Sequence, residues 1–312
     1  MDKTIFLNRT TFAGSARFYD AYVGSHFIAD DAQFESADGT ANFENLFTGK
    51  STYLNRTRFN GAVAFTNAEI GDFFIANNAQ FNNTEREANF NYIHVGEILY
   101  ITQASFAGPA NFAYASVGKN IEANEVVFYG KEGLANFAET EAGNAFLFND
   151  AVFAGPVSFR HVLTHGNLEI RDTKYTNAAK VADFGNMEIG GTVFIDQASF
   201  AGKANFNNLE IGEHLSANGA QFNNEKEPAD FTNMRIKKSA SFSQAVFHGP
   251  VYFDVSNIGT VFELKGARFD NHEQGVSFSK TNTKEYVNLE KVVVSGTLNF
   301  ETAKVGGALF IT

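Results

Sequence analysis

One spacing governs this chain. Steps of 47 residues from Phe12 land on Phe59, Phe106, Phe153, Phe200, Phe247 and Val294, with no insertion or deletion on the way. Each 47-residue block divides into 22 and 25 residues, with midpoints at Phe34, Phe81, Phe128, Tyr175, Phe222 and Phe269. A register kept over that distance marks a stack of repeated units, each leaning on its neighbours. The strands of a β-sandwich vary in length and connection and do not hold such a register.

Within each part the same order recurs. A second column, from Phe18 and Phe43 through Phe90, Phe137 and Phe231 to Phe278 and Phe300, is Phe at all thirteen of its positions. A third runs Val23, Thr48, Ile70, Val95 and onward to Val305, and a looser fourth runs Phe27, Phe74, Ile121, Leu168, Leu215, Phe262 and Leu309. The chain has 35 Phe and no Trp, so one aromatic type fills one kind of slot repeatedly. A small residue stands two before most column Phe, as Ala16 before Phe18 and Ala110 before Phe112. A spacing of two puts both side chains on one side of an extended backbone. Arg17, Gln80, Asn111 and Asn205, between such pairs, therefore point outward.

Helical amphipathicity needs apolar residues three, four and seven apart. The spacing here is two within a unit and five to six between units, with Gly and Asn between units where they suit turns. A chain that runs extended for a few residues and turns four times per 22 closes into a coil. Stacked coils then bond backbone to backbone at the strand spacing of about 4.8 Å. The expected fold is all-β, a β-solenoid of about thirteen coils and roughly 60 Å, with the Phe columns as inward ladders.

The strings TFAGSARF, RFNGAVAF, SFAGPANF, VFAGPVSF and SFAGKANF resemble the Phe-rich variety of the pentapeptide-repeat family, and the resemblance covers essentially the whole chain. It implies a right-handed quadrilateral β-helix, one solenoid over residues 1–312. The chain departs from the family's usual coil of four pentapeptides by using 22 and 25 residues, so at least two corners per coil must be looser. The long coils carry a three-residue excess at one corner, which reads ESADGTAN, NNTEREAN, YGKEGLAN, TNAAKVAD, NNEKEPAD and DNHEQGVS. Short and long coils alternate, so the excess forms a charged ridge containing Glu85, Arg86, Glu87, Lys131, Glu132, Glu225, Lys226 and Glu227. The ridge is either a set of solvated loops or a docking edge for a partner or a second rod.

No nucleophile, phosphate-binding or dinucleotide motif is present. His161 and His165 are four apart, a metal spacing on a helix, but their segment reads as strand and turn. His165 takes a slot usually held by Gly and marks a local corner variation. A non-enzyme is expected, without cofactor or metal. The net charge of −11 does not suit direct nucleic-acid binding, and the absence of Cys excludes disulfides. No apolar run long enough to cross a membrane and no leader is visible, which fits an intracellular protein or one whose leader has been removed.

TIFLNRTTF at the start aligns with STYLNRTRF at 51–59, and VGGALFIT at the end with IGGTVFID at 189–196, so the chain starts and stops part-way through a coil without a cap. The leading expectation is a structural scaffold that meets further copies of itself end to end through Phe6, Leu7, Leu309 and Phe310. The family resemblance implies an alternative, an acidic rod mimicking duplex DNA and binding a DNA-handling enzyme such as gyrase. A protein-interaction module of a longer chain is the third reading.

Overall fold

The computed structural model describes residues 3–312, built of short strands joined by turns and bends. The chain divides into two compact units, residues 1–158 and 159–312. Each is a stack of parallel coils with four flat faces. In the first unit one coil runs Thr52–Tyr53, Arg58–Phe59, Ala62–Ala64 and Glu69–Ile70, one strand per face, and returns to the first face at Phe74–Ile75. In the second unit a coil runs Leu215–Ser216, Gln221–Phe222, Ala229–Asp230 and Arg235–Ile236 and returns at Ala240–Ser241. The described residues supply 14 strands to the first face and 13 to each of the others. The strand columns expected from the sequence are present, with one extra strand on the first face.

Within each unit the described pairings are parallel and keep the 22- and 25-residue register. Arg58 and Phe59 pair with Gln33 and Phe34 on one side and with Gln80 and Phe81 on the other. Successive residues point in and out, so Phe59 is buried while Arg58 is exposed. Stacking like over like turns each inward position into a ladder. Phe43 and Phe65 stack at 4.4 Å, Phe90 and Phe112 at 4.6 Å. The second-face column stands edge-on to this ladder, with Phe81 and Phe90 at 5.6 Å and 86°. The second unit repeats the device with Phe184 over Phe206 at 4.6 Å. Offset stacks along a column and edge-to-face contacts between columns are the two favoured aromatic geometries, and each closed-off Phe contributes on the order of 2 kcal/mol by burial alone.

The fourth apolar column proves continuous. Thr52, Leu99, Phe146, Val193 and Ala240 occupy the coils between those the sequence pattern singles out, all buried. Large and small residues in this column trade with the inward residue two places on, Phe27 with Ala29, Phe74 with Ala76 and Ala240 with Phe242, all buried.

The four corners are of two kinds. After the first and third faces the chain makes a four-residue turn whose third residue is left-handed. In the turn from Phe65, Ala68 N–H donates to the Phe65 carbonyl at 3.0 Å and Asn67 has φ 54°. Asn and Asp tolerate that conformation, but Tyr92, Tyr114 and Val255 adopt it too. The stacked rungs hold them there: Val255 N–H donates to the Ser279 carbonyl at 2.9 Å in the next coil. Val255, half exposed with φ 61°, carries the full β-branched strain. Val255→Asn therefore raises the unfolding free energy by about 1 kcal/mol, read as a shift in the denaturant midpoint; an unchanged or lowered midpoint contradicts this account of the corner.

An outward Asn or Asp precedes many third-face turns and accepts a backbone N–H two residues on, as Asn89 from Asn91 at 3.0 Å and Asp230 from Thr232 at 3.0 Å. The polar residue between Ala and Phe thus serves as a turn cap. Buried hydroxyls are satisfied in the same spirit: Thr57 donates to the Ala29 carbonyl at 2.8 Å, and Thr140 to that of Phe112 at 2.8 Å.

Tyr175 is the one polar member of the second-face Phe column, stacked on Phe200 at 4.6 Å. Burial holds its phenol well above the ordinary value of 10.0. Above that pH the unfolded chain releases this proton while the folded chain keeps it, so the unfolded state binds fewer protons and stability falls as pH rises. The stability difference between wild type and Tyr175→Phe should be flat below about pH 9 and move against the wild type above about pH 10. A constant difference across that range sinks the assignment.

Candidate interaction surface

The long corners lie between the second and third faces, at Phe34–Thr40, Phe81–Ala88 and Phe222–Ala229 among others, where short coils cross in fewer residues. A recurrent Asn holds them. Asn83 accepts from the N–H groups of Glu85 (3.0 Å) and Arg86 (2.7 Å) and donates to the carbonyls of Ala37 (3.2 Å) and Asn60 (3.4 Å). Asn224 accepts from Lys226 (3.0 Å) and Glu227 (2.9 Å) and donates to Ala178 (3.1 Å) and Ala201 (3.3 Å). Asn271 repeats the link to the Glu225 carbonyl at 3.2 Å. These Asn follow the 47-residue step, a signal the reading for charge passed over.

Of the ridge residues, Glu85, Lys131, Glu132, Glu225, Lys226 and Glu227 are exposed. Arg86 is tied back to the long corner below, donating to the carbonyls of Asp38 (2.8 Å) and Gly39 (3.1 Å) and to the Thr40 hydroxyl (3.0 Å). Glu87 is half-buried, and desolvation raises its carboxyl above the usual range against the opposing pull of a hydrogen bond from Asn111. Part of the ridge is thus braced loop, and part presents charge to solvent.

The four end-to-end candidates separate by strand alternation. Ile5 pairs with buried Phe27 and Phe6 with outward Ile28, so Phe6, 69% exposed, lies on the flank. Leu309 pairs with inward Val287 and Phe310 with outward Asn288. Only Leu7 and Leu309 belong to the inward columns. The first and last members of those columns, Phe12 and Phe18 in one unit and Val294, Leu298 and Phe300 in the other, are part-exposed, whereas Phe59 and Phe65 are closed off.

His161 and His165 sit at successive corners on either side of Leu163–Thr164, His161 in a left-handed turn. His165 belongs to a glycine column between the fourth and first faces that includes Gly190, Gly212 and Gly259. A Cβ on Gly190 would stand 2.9 Å from the His165 carbonyl carbon. Lys237 and Lys284 interrupt the same column. All three interruptions line a groove of about 720 Å³ along the fourth face of the second unit, with Glu210, Arg235 and Asn257 beside them and Gly212 and Gly259 in the lining. Arg235 pairs with Glu210 across it.

Charges pair from rung to rung at the corners. Arg56 grips Asp31 through two hydrogen bonds of 2.7 and 2.8 Å, which pull the Asp31 carboxyl below its usual range. Lys265 meets Glu290 at 2.8 Å and lowers its carboxyl likewise. Lys119 pairs with Glu97 and Lys238 with Glu213. Asp31, Glu97, Glu213 and Glu290 thus each carry a basic neighbour one coil away.

The first face differs between units. In the first unit its outward positions are Phe6, Ile28, Tyr53, Ile75, Tyr100, Glu122 and Leu147. In the second they include Glu169, Ser216, Ser241, Glu263 and Asn288, and Phe194 is covered by the Arg171 guanidinium at 3.8 Å. Reading the inward columns alone leaves this outward stripe unseen. No described helix is long and apolar enough to cross a membrane.

No family model, curated protein or solved structure matches the chain.

Proposed function

We infer that this chain is a non-catalytic structural scaffold of the pentapeptide-repeat type that self-associates end to end. What supports this most is the ladder itself: each coil offers the same backbone edge and inward residue types as the coil it stacks on, as Phe59 does between Phe34 and Phe81, so one stack's edge is complementary to another's. Apolar groups at a ladder edge, beside strands whose backbone groups face outward along the stack, are the surface another β edge covers. Contacts of this kind that do not close on themselves build fibres.

The test is electron microscopy of the purified chain over a range of concentrations, with light scattering alongside. Filaments or linear oligomers that shorten on Leu7→Asp or Leu309→Asp support the reading. Particles of fixed mass at every concentration, unaffected by either substitution, overturn it.

A further inference from the structure

We propose that the first unit pairs side to side with a second copy of this chain, through the outward stripe of its first face, about a two-fold axis that sets the two stacks antiparallel.

The stripe is unusual for an outward column. Ile28, Tyr53, Ile75 and Tyr100 follow one another on successive rungs without a polar residue, each half-exposed. Phe73, at the preceding corner, lies 6.4 Å from the Tyr100 ring. Scattered apolar residues on a surface are ordinary, but a continuous apolar patch marks a contact site. The same column in the second unit is mostly polar, so the repeat itself does not demand apolar residues here.

The order of residues selects the occupant and its direction. Reversing the stripe onto itself brings Ile28 opposite Tyr100 and Tyr53 opposite Ile75, so every aliphatic group meets a ring. The rim agrees. Lys50 and Asp72 occupy equivalent corner positions beside the rungs of Tyr53 and Ile75. The same reversal sets Lys50 of one copy against Asp72 of the other, twice by symmetry. A parallel pairing, about an axis along the stack, would instead turn this edge onto the opposite one, so Lys50 and Asp72 would not meet. The reversal overlaps the rungs of Phe6 to Glu122, five steps or about 24 Å, with Phe6 opposite Glu122 at its two ends. Two such faces bury on the order of 1,000 Å², the lower end of specific interfaces, which predicts a concentration-dependent dimer rather than a permanent one.

Sedimentation equilibrium on the full chain tests this. The expected result is a monomer–dimer equilibrium weakened tenfold or more by Tyr53→Asp, with the circular dichroism unchanged because the side chain is outward. Lys50→Asp weakens the dimer, and adding Asp72→Lys to it restores the dimer. A chain that is monomeric at about 100 μM, a dimer indifferent to Tyr53→Asp and to Lys50→Asp, or a double variant that fails to recover overturns the proposal. The two modes of association are separable. Filaments that survive Tyr53→Asp leave the end contacts standing without this pairing, and dimers that survive Leu309→Asp do the reverse.

Discussion

Replacing Phe90 by Ala should lower the unfolding free energy by about 4 kcal/mol. Phe90 is closed to solvent, stacks on Phe65 at 5.5 Å and Phe112 at 4.6 Å, and meets Phe74, Phe81 and Phe106 edge-on. Its removal costs the transfer free energy of a large apolar group and leaves a hole that five rings bound. Those rings are fixed by backbone ladders above and below, so the coil cannot collapse onto the space. Asn89, next in sequence but outward, caps a turn through one hydrogen bond, and Asn89→Ala should cost about 1 kcal/mol. Chemical denaturation of both variants makes the comparison. Equal costs would mean that the ladders do not hold the coils together.

Gly118→Val should cost about 2–3 kcal/mol although it removes nothing. A Cβ on Gly118 would lie 2.9 Å from the carbonyl carbon of Gly96 in the coil before, and closer still to its oxygen. The obstacle is backbone, which cannot rotate away. The rungs must part there, and the 2.8 Å bond from Gly118 N–H to the Val95 carbonyl stretches. The second unit contains the natural version of this experiment. Where Lys237 and Lys284 replace glycine in that column, the equivalent bonds lengthen to 3.0 and 3.2 Å, against 2.8 Å at Gly190 and Gly212. Lys284→Gly should accordingly stabilise, by less than Gly118→Val destabilises. A neutral Gly118→Val would show that the coils are looser than this packing requires.

The columns of Phe were legible because an inward slot repeated at one spacing leaves only one kind of structure able to use it. Pattern reading then failed where neighbours rather than local sequence decide. Thr52, Leu99 and Ala240 share one column because the inward residue two places on, Leu54, Ile101 and Phe242, supplies volume to the same coil. Left-handed turns fall on Tyr92 and Val255, poor residues for them, because the rungs on either side impose the conformation. Phe6 and Phe310 were expected at the ends of the stack and lie on its flank, since one residue's shift along a strand reverses the direction of a side chain. The charged corners were found, but the Asn that braces them was not, because a search for charge passes over an amide. The outward stripe escaped for a related reason: its residues are apolar in a chain whose apolar residues had already been assigned inward.

Parallel stacking with the 22- and 25-residue register can be measured directly. The chain has no Cys, so Thr11→Cys and Val152→Cys can be spin-labelled without other changes. These residues are outward on the second face, linked through Gln33, Arg58, Gln80, Ser105 and Val127, one rung at a time. Double electron–electron resonance on the labelled chain, diluted with unlabelled protein, should give one narrow distance near 29 Å, six rungs of about 4.8 Å, for residues 141 apart in sequence. A broad distribution, or a narrow one centred far from that value, would contradict the solenoid.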